Sequence, residues 1–216
     1  MTDAITLNPA MQSLLTEAAE WRLLELLFQC PGSEWKQQVA ALDREVHDPD
    51  LGKAAEDAVA EATEGAFHSI LGPGGPAPAR EVSYRDNIQL GYLMSELAAY
   101  YSAFAYQPAT SEAPDHVSVE AGFLGYLRLK EAYALGSGND EQAGIAREAA
   151  GHFLREHLSY IAEPLSAALD YSGEPYLELA GKALLRRTGP RERQIFEILD
   201  QETEELEDGT FDCGTS

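Results

Sequence analysis

The sequence predicts an all-α protein, a single-domain helical bundle of about eight to ten helices. Three observations predict it. Apolar residues recur at three- and four-residue spacing in one segment after another. No segment sustains the two-residue alternation of a half-buried strand. No apolar run approaches the ~20 residues that cross a bilayer. With 216 residues, 44% of them apolar, the chain can bury one sizeable core. No repeat of fixed period is visible. Residues 1–206 are expected to form the helical domain and residues 207–216 a disordered acidic tail.

The elements follow in order. "NPAMQSLLTEAAEWRLLELLFQCPG" places Asn8 as N-cap and Pro9 at the first helical position. Leu14, Leu15, Ala18, Trp21, Leu24, Leu27 and Phe28 then line one side, and Pro31-Gly32 stops the helix. Ser33 is expected to cap a second helix, running to about Val46. Asp50 is expected to cap a third, rich in Ala and Glu, ending near Leu71. "LGPGGPAPAREVSY", residues 71–84, is too rich in Gly and Pro for a helix interior and reads as a loop. A helix returns over Asn87–Tyr106 with an aromatic stripe that includes Tyr92, Tyr100, Tyr101 and Phe104, read as core. "QPATSEAPD" breaks it. The next helix runs from about His116 to Leu135 and ends at "GSGND". Two segments follow with a bend near His157–Tyr160, and then "EPYLELAGKALLRR" and "PRERQIFEILDQETEELE" complete the bundle.

Charge narrows the function classes. There are 37 acidic and 15 basic residues, a formal net charge of −22. A field of that sign repels nucleic acid and anionic lipid and attracts cationic partners, besides keeping the protein dispersed. The opening "MTDAITLNPAMQ" has neither a basic nor an apolar region, so no signal peptide is expected. The two cysteines, Cys30 and Cys213, lie in no CxxC or Cys/His pattern. Cys30 reads as a buried thiol, and a reduced, cytoplasmic chain is expected. No phosphate loop, dinucleotide fingerprint or nucleophile elbow is present. Neither catalysis nor a resident cofactor or metal is expected. Arg186-Arg187 lies at a helix end, where the backbone dipole favours cations.

The chemistry-bearing stretch is "SEAPDHVSVEAGF", residues 111–123. Pro114 disfavours helix at Ala113. Asp115 is placed to cap the helix that follows. His116 and Glu120 share a helical face at i, i+4. Three readings remain open on the residues alone: a cap, half of a metal site built from Asp115, His116 and Glu120, or a docking point for a cationic partner.

The order of the pieces carries a resemblance. "FHSILGPGGPAPAREVSY" precedes the Tyr-rich "YLMSELAAYYSAFAY"; then come "PDHVSVEAGFLGYL", "HFLREHLSYIAEPLSAAL" and "PYLELAGKALL". Over roughly residues 15–190 the chain resembles the TorD/DmsD/NarJ family of redox-enzyme maturation chaperones. The Pro114-Asp115-His116 helix start is the most specific piece. Ala121-Gly122 and Tyr160 depart from the usual pattern, which has a leucine with a helix former and a tryptophan at these places. The resemblance implies a TorD-like all-helical fold. It also implies a cytoplasmic monomer or homodimer that binds the catalytic subunit of a molybdenum-cofactor oxidoreductase, often by its twin-arginine leader. It implies that Asp115 and His116 border the groove that receives the leader. A carboxylate there can take a guanidinium in a bidentate pair, and His116 adds an edge that can change charge near neutral pH. Glu120 and Pro114 belong to the same element, and Tyr84 and Tyr92 are the expected apolar bed. An adaptor that binds the client without its leader, or a metal-dependent enzyme, are the alternatives.

Overall fold

A computed structural model describes residues 8–191. The expected last helix beyond Arg191, the tail 207–216 and Cys213 lie outside the described residues. Within them the protein is all-α, one TorD-like bundle, as expected. Among the described residues the only β pairing is an isolated antiparallel bridge between Arg80 and His116.

The first helix, α1 (Pro9–Leu27), starts as read: the Asn8 side chain accepts from the Ala10 N–H. Its second half is buried nearly all round, from Trp21 to Phe28, so α1 is a central strut rather than a surface helix. The next two starts differ from expectation. α2 (Trp35–Leu42) has Glu34 as N-cap with no side-chain bond, so Ser33 does not cap it. A 3₁₀ turn (Asp43–Glu45) continues it. α3 (Pro49–Glu61) is capped by Asp48, whose carboxylate accepts from the Asp50 and Leu51 amides. Asp50 sits in the first turn instead, because Pro49 takes the first helical position. The expected single helix to Leu71 is broken at Ala62. Thr63 caps a separate α4 (Glu64–Leu71).

The loop after α4 ends in a 3₁₀ turn (Glu81–Tyr84). The aromatic helix α5 (Leu90–Ala103) starts later than expected, after Asn87 at φ 61°. Then come α6 (Val117–Gly136) and α7 (Asp140–Phe153). A π-helical turn (Leu154–Leu158) and α8 (Ser159–Leu169) follow without a break. The expected bend is this π turn, which carries His157 fully inside. α9 (Pro175–Thr188) closes the described chain.

α6 packs along α1 and against α7, while α9 packs on α3 and α8. Close approach of α1 and α6 depends on two glycines. A Cβ on Gly125 would meet the Ala18 carbonyl oxygen at 3.2 Å, and one on Gly122 would meet the Glu25 carboxyl carbon at 2.6 Å. Gly122, a departure from the family pattern, is thus what admits Glu25 and Tyr106 against α6. The aromatic stripe is core at Tyr100, Tyr101 and Phe104, as read, but not at Tyr92, which is exposed. Phe123 of α6 stands within 4.8–6.4 Å of the rings of Tyr100, Tyr101, Phe104, Tyr106 and Phe153, mostly edge to face. Tyr160, the other departure, lies between the guanidinium groups of Arg85 and Arg191, each 3.7 Å from its ring centre.

The twin arginine is structural. Arg187 pairs with Asp48 (3.0 Å) and Glu20 (2.8 Å), and Arg186 with Asp48 (3.1 Å) and Asp50 (2.7 Å). Burial pushes the Asp48 carboxyl up, but the bonds from Arg186, the Leu51 amide and Arg187 outweigh it and hold it below its ordinary value. Asp48 therefore caps α3 and ties it to α9. Asp48→Ala is expected to cost about 1.5–2.5 kcal/mol, a lost cap plus partly exposed ion pairs. Urea unfolding measures it; a loss below about 0.5 kcal/mol would leave the cap and the pairs without weight.

Candidate functional site

The Pro114–His116 segment is stitched to the end of the Gly-Pro loop by backbone bonds. The Glu81 amide donates to the Asp115 carbonyl, and the Val117 amide to the Ala79 carbonyl, each at 2.8 Å. The Tyr101 hydroxyl donates to the Pro114 carbonyl at 2.8 Å. Three segments far apart in sequence thus meet where α6 begins.

The cap of α6 is not the expected one. His116 is the N-cap: its Nδ1 accepts from the Ser118 amide at 3.2 Å and pairs with the Ser118 hydroxyl at 2.7 Å. Nδ1 is therefore bare and Nε2 carries the proton, 4.0 Å from a Glu112 oxygen. Burial pushes His116 below the ordinary histidine value, outweighing the pull of Glu112 and Asp115 in the other direction. The expected charge change near neutral pH is thus moved to lower pH.

Asp115 is wholly buried and turns the other way, toward the loop. Its Oδ1 accepts from Arg80 Nε at 2.8 Å and Nη2 at 2.7 Å, and its Oδ2 from the Val82 amide at 3.3 Å. It fixes the 3₁₀ turn, not the helix. The guanidinium it holds belongs to its own chain. The reason is the bridge between Arg80 and His116, which sets the Arg80 stem beside Asp115.

Beneath this pair lies a second layer. Glu81 is wholly buried; it accepts from His157 Nδ1 at 3.1 Å and forms an ion pair with Arg85 at 2.8 Å. Glu120, also wholly buried, lies against Glu81. Burial, then the charge of Glu81 and a shared hydrogen bond with it, push the Glu120 acid well above its ordinary value. Neither Glu120 oxygen has a donor in reach, so the group is kept as a neutral acid whose proton is directed at Glu81. Asp115, His116 and Glu120 therefore form no common metal set. Asp115 is committed to Arg80, the bare nitrogen of His116 to Ser118, and Glu120 is protonated.

The two expected tyrosines separate. Tyr92, on α5, is 67% exposed. Tyr84 is half-buried with its hydroxyl enclosed and unpartnered, and burial pushes it up to about 12. Pro114 is exposed. None of Tyr84, Tyr92, Pro114, Asp115 or His116 lines the carbon-rich cleft of about 400 Å³ between α1 and α6, which Leu15, Ala19, Tyr106, Tyr126 and Leu129 enclose.

Four partners escaped sequence reasoning: Arg80, Glu81, Arg85 and His157. Glu81 and Arg85 are an i, i+4 pair, and that signal was available. His157 stands 76 positions from Glu81, and nothing local announces the pairing. Cys30, expected as a buried thiol, is only partly buried, with His68 Nε2 3.5 Å from its sulfur.

Among the described residues no helix is long and apolar enough to cross a membrane. A single helical bundle whose buried charged side chains fix the Gly-Pro loop against the buried start of α6 has the TorD-like fold. Residues 32–164, more than half of the chain, match the model of the family described as nitrate reductase delta subunit, and the chain belongs to that family, the NarJ/TorD type of chaperone. The matched span holds the Gly-Pro loop, the Pro114–His116 start and the π turn. The comparison with curated proteins found no match.

Proposed function

We propose that the protein is a cytoplasmic chaperone that holds the apo catalytic subunit of a molybdenum-cofactor oxidoreductase by its twin-arginine leader, until the cofactor is inserted and the enzyme can be exported. Membership of the family carries the reading; the acidic charge of −22 supports a cationic ligand. The leader docks at the start of α6. Exposed Pro114 and Tyr92, with the accessible edge of Tyr84, are its apolar contacts. Asp115, His116 and Glu120 act from beneath. They hold the loop and helix start in register, and a leader arginine meets the rim acid Glu112, 40% exposed beside His116. The protein turns over no substrate of its own.

Calorimetry of the full chain with a leader peptide tests this. Tyr92→Ala is expected to weaken binding about tenfold, the effect of losing one aromatic anchor. Its melting temperature should not move, since the ring is mostly in solvent. A twin-lysine leader should bind more weakly, because lysine lacks the bidentate fork. No binding of the twin-arginine peptide, with capture of the leaderless subunit, would replace this reading with the adaptor.

A further inference from the structure

We infer that Cys30, Glu64 and His68 form a surface site for a thiophilic divalent cation of the Zn²⁺ class. The site is independent of the leader surface and of the reading above. Its residues come from two elements: Cys30 follows α1, while Glu64 and His68 stand one turn apart on α4. One ligand atom from each lies within 4.8 Å of the other two.

The spacing fits a tetrahedral ion. Bonds of about 2.3 Å to sulfur and about 2.0–2.1 Å to nitrogen, at a tetrahedral angle, set S and N about 3.5 Å apart. Cys30 Sγ and His68 Nε2 are 3.5 Å apart. The same nitrogen is 3.7 Å from Glu64 Oε1, where such an ion asks for about 3.4 Å.

A plain thiol–imidazole hydrogen bond accounts for less. One ring nitrogen faces both a sulfur and a carboxylate oxygen. A bare nitrogen would repel the carboxylate, and a single N–H shared between the two would serve both weakly. A cation between all three satisfies each of them. Thiolate, imidazole and carboxylate together select Zn²⁺ over Mg²⁺ or Ca²⁺. The negative charges of Glu64 and Glu112 near Cys30 favour a dication there. Three protein ligands leave the fourth position to water. The bound ion pins the segment after α1 to α4.

The tag-free, reduced full chain is titrated with Co²⁺ as a visible stand-in for Zn²⁺. One equivalent is expected to give the near-ultraviolet sulfur-to-cobalt charge-transfer band and the visible bands of a four-coordinate ion, both displaced by Zn²⁺. Cys30→Ser should abolish the charge-transfer band. His68→Ala should weaken binding by more than about tenfold. Cys213→Ser should change neither. The His68 and Glu64 side chains are 56% and 73% exposed, so His68→Ala keeps the fold and the test intact even if Cys30→Ser does not. Absence of a charge-transfer band in the wild type, its survival in Cys30→Ser, or undiminished affinity in His68→Ala would overturn the site.

Discussion

Asp115→Asn is expected to lower stability by about 2–4 kcal/mol. Removing one partner of a buried ion pair costs ~3–5 kcal/mol, because the other charge is left uncompensated. Here the cost is tempered, since the Arg80 side chain is 40% exposed and can turn to water. An Asn amide also sets its own N–H groups against the guanidinium, and only one oxygen remains for three donors. The loss should be local in its first effect. Amide exchange should quicken at Glu81, Val82 and Val117, whose bonds hold the Gly-Pro loop to α6. Under the proposed function, leader binding should fall with it, because the proposed docking surface rests on that junction. A variant as stable as the wild type would show that the buried carboxylate has no structural weight. A destabilised variant with unchanged affinity, measured well below its melting temperature, would separate the junction from recognition.

Glu120→Gln is expected to act in the opposite sense, and the effect should depend on pH. The folded-state pKa of Glu120 is raised above its ordinary value. The neutral acid is thus favoured on folding. Its contribution is fully present below the unfolded pKa, near 4.5, and is lost as pH rises toward the folded value. Between these two points the unfolded chain ionises while the folded chain holds its proton. The limiting loss is about 1.4 kcal/mol per pH unit. Gln copies the neutral acid and can still donate to Glu81, but it does not titrate. The two proteins should match in stability at pH 4–4.5. By pH 7 the variant should be the more stable by at least about 1 kcal/mol. Urea unfolding over that range measures the gap. Parallel pH curves would show that Glu120 is ionised inside the protein. The pair of variants also tests the division of labour in the site. One carboxylate is charged and holds an arginine, while its neighbour, five positions on, is neutral.

The helical segments were legible because their information is local. Asn8 and Pro9 cap and start α1 in the chain's own order, Gly and Pro interrupt the segment after Leu71, and the three- and four-residue spacing repeats from end to end. The family was legible for a related reason: its elements keep a fixed order along the chain. The smaller corrections were also local, and arose where two capping residues compete. Asp48 wins over Asp50 because Pro49 occupies the first helical position. Thr63 divides what composition alone joins into one helix.

What the residues around "PDH" do was decided by the tertiary structure. Alone, Asp115 before a helix is a cap and His116 with Glu120 is half a metal site. The bridge of Arg80 to His116 brings a guanidinium 35 positions away in sequence onto Asp115, and capping passes to the imidazole. The π turn brings His157 onto Glu81, and burial, then the charge of Glu81, push the Glu120 acid up. The same holds for Cys30, whose His68 is 38 positions away. Ionisation and partner choice depend on burial and on charges within a few ångströms, and distances between segments remote in sequence are fixed only when the helices pack. Propensity and periodicity belong to the chain; protonation and pairing belong to the fold.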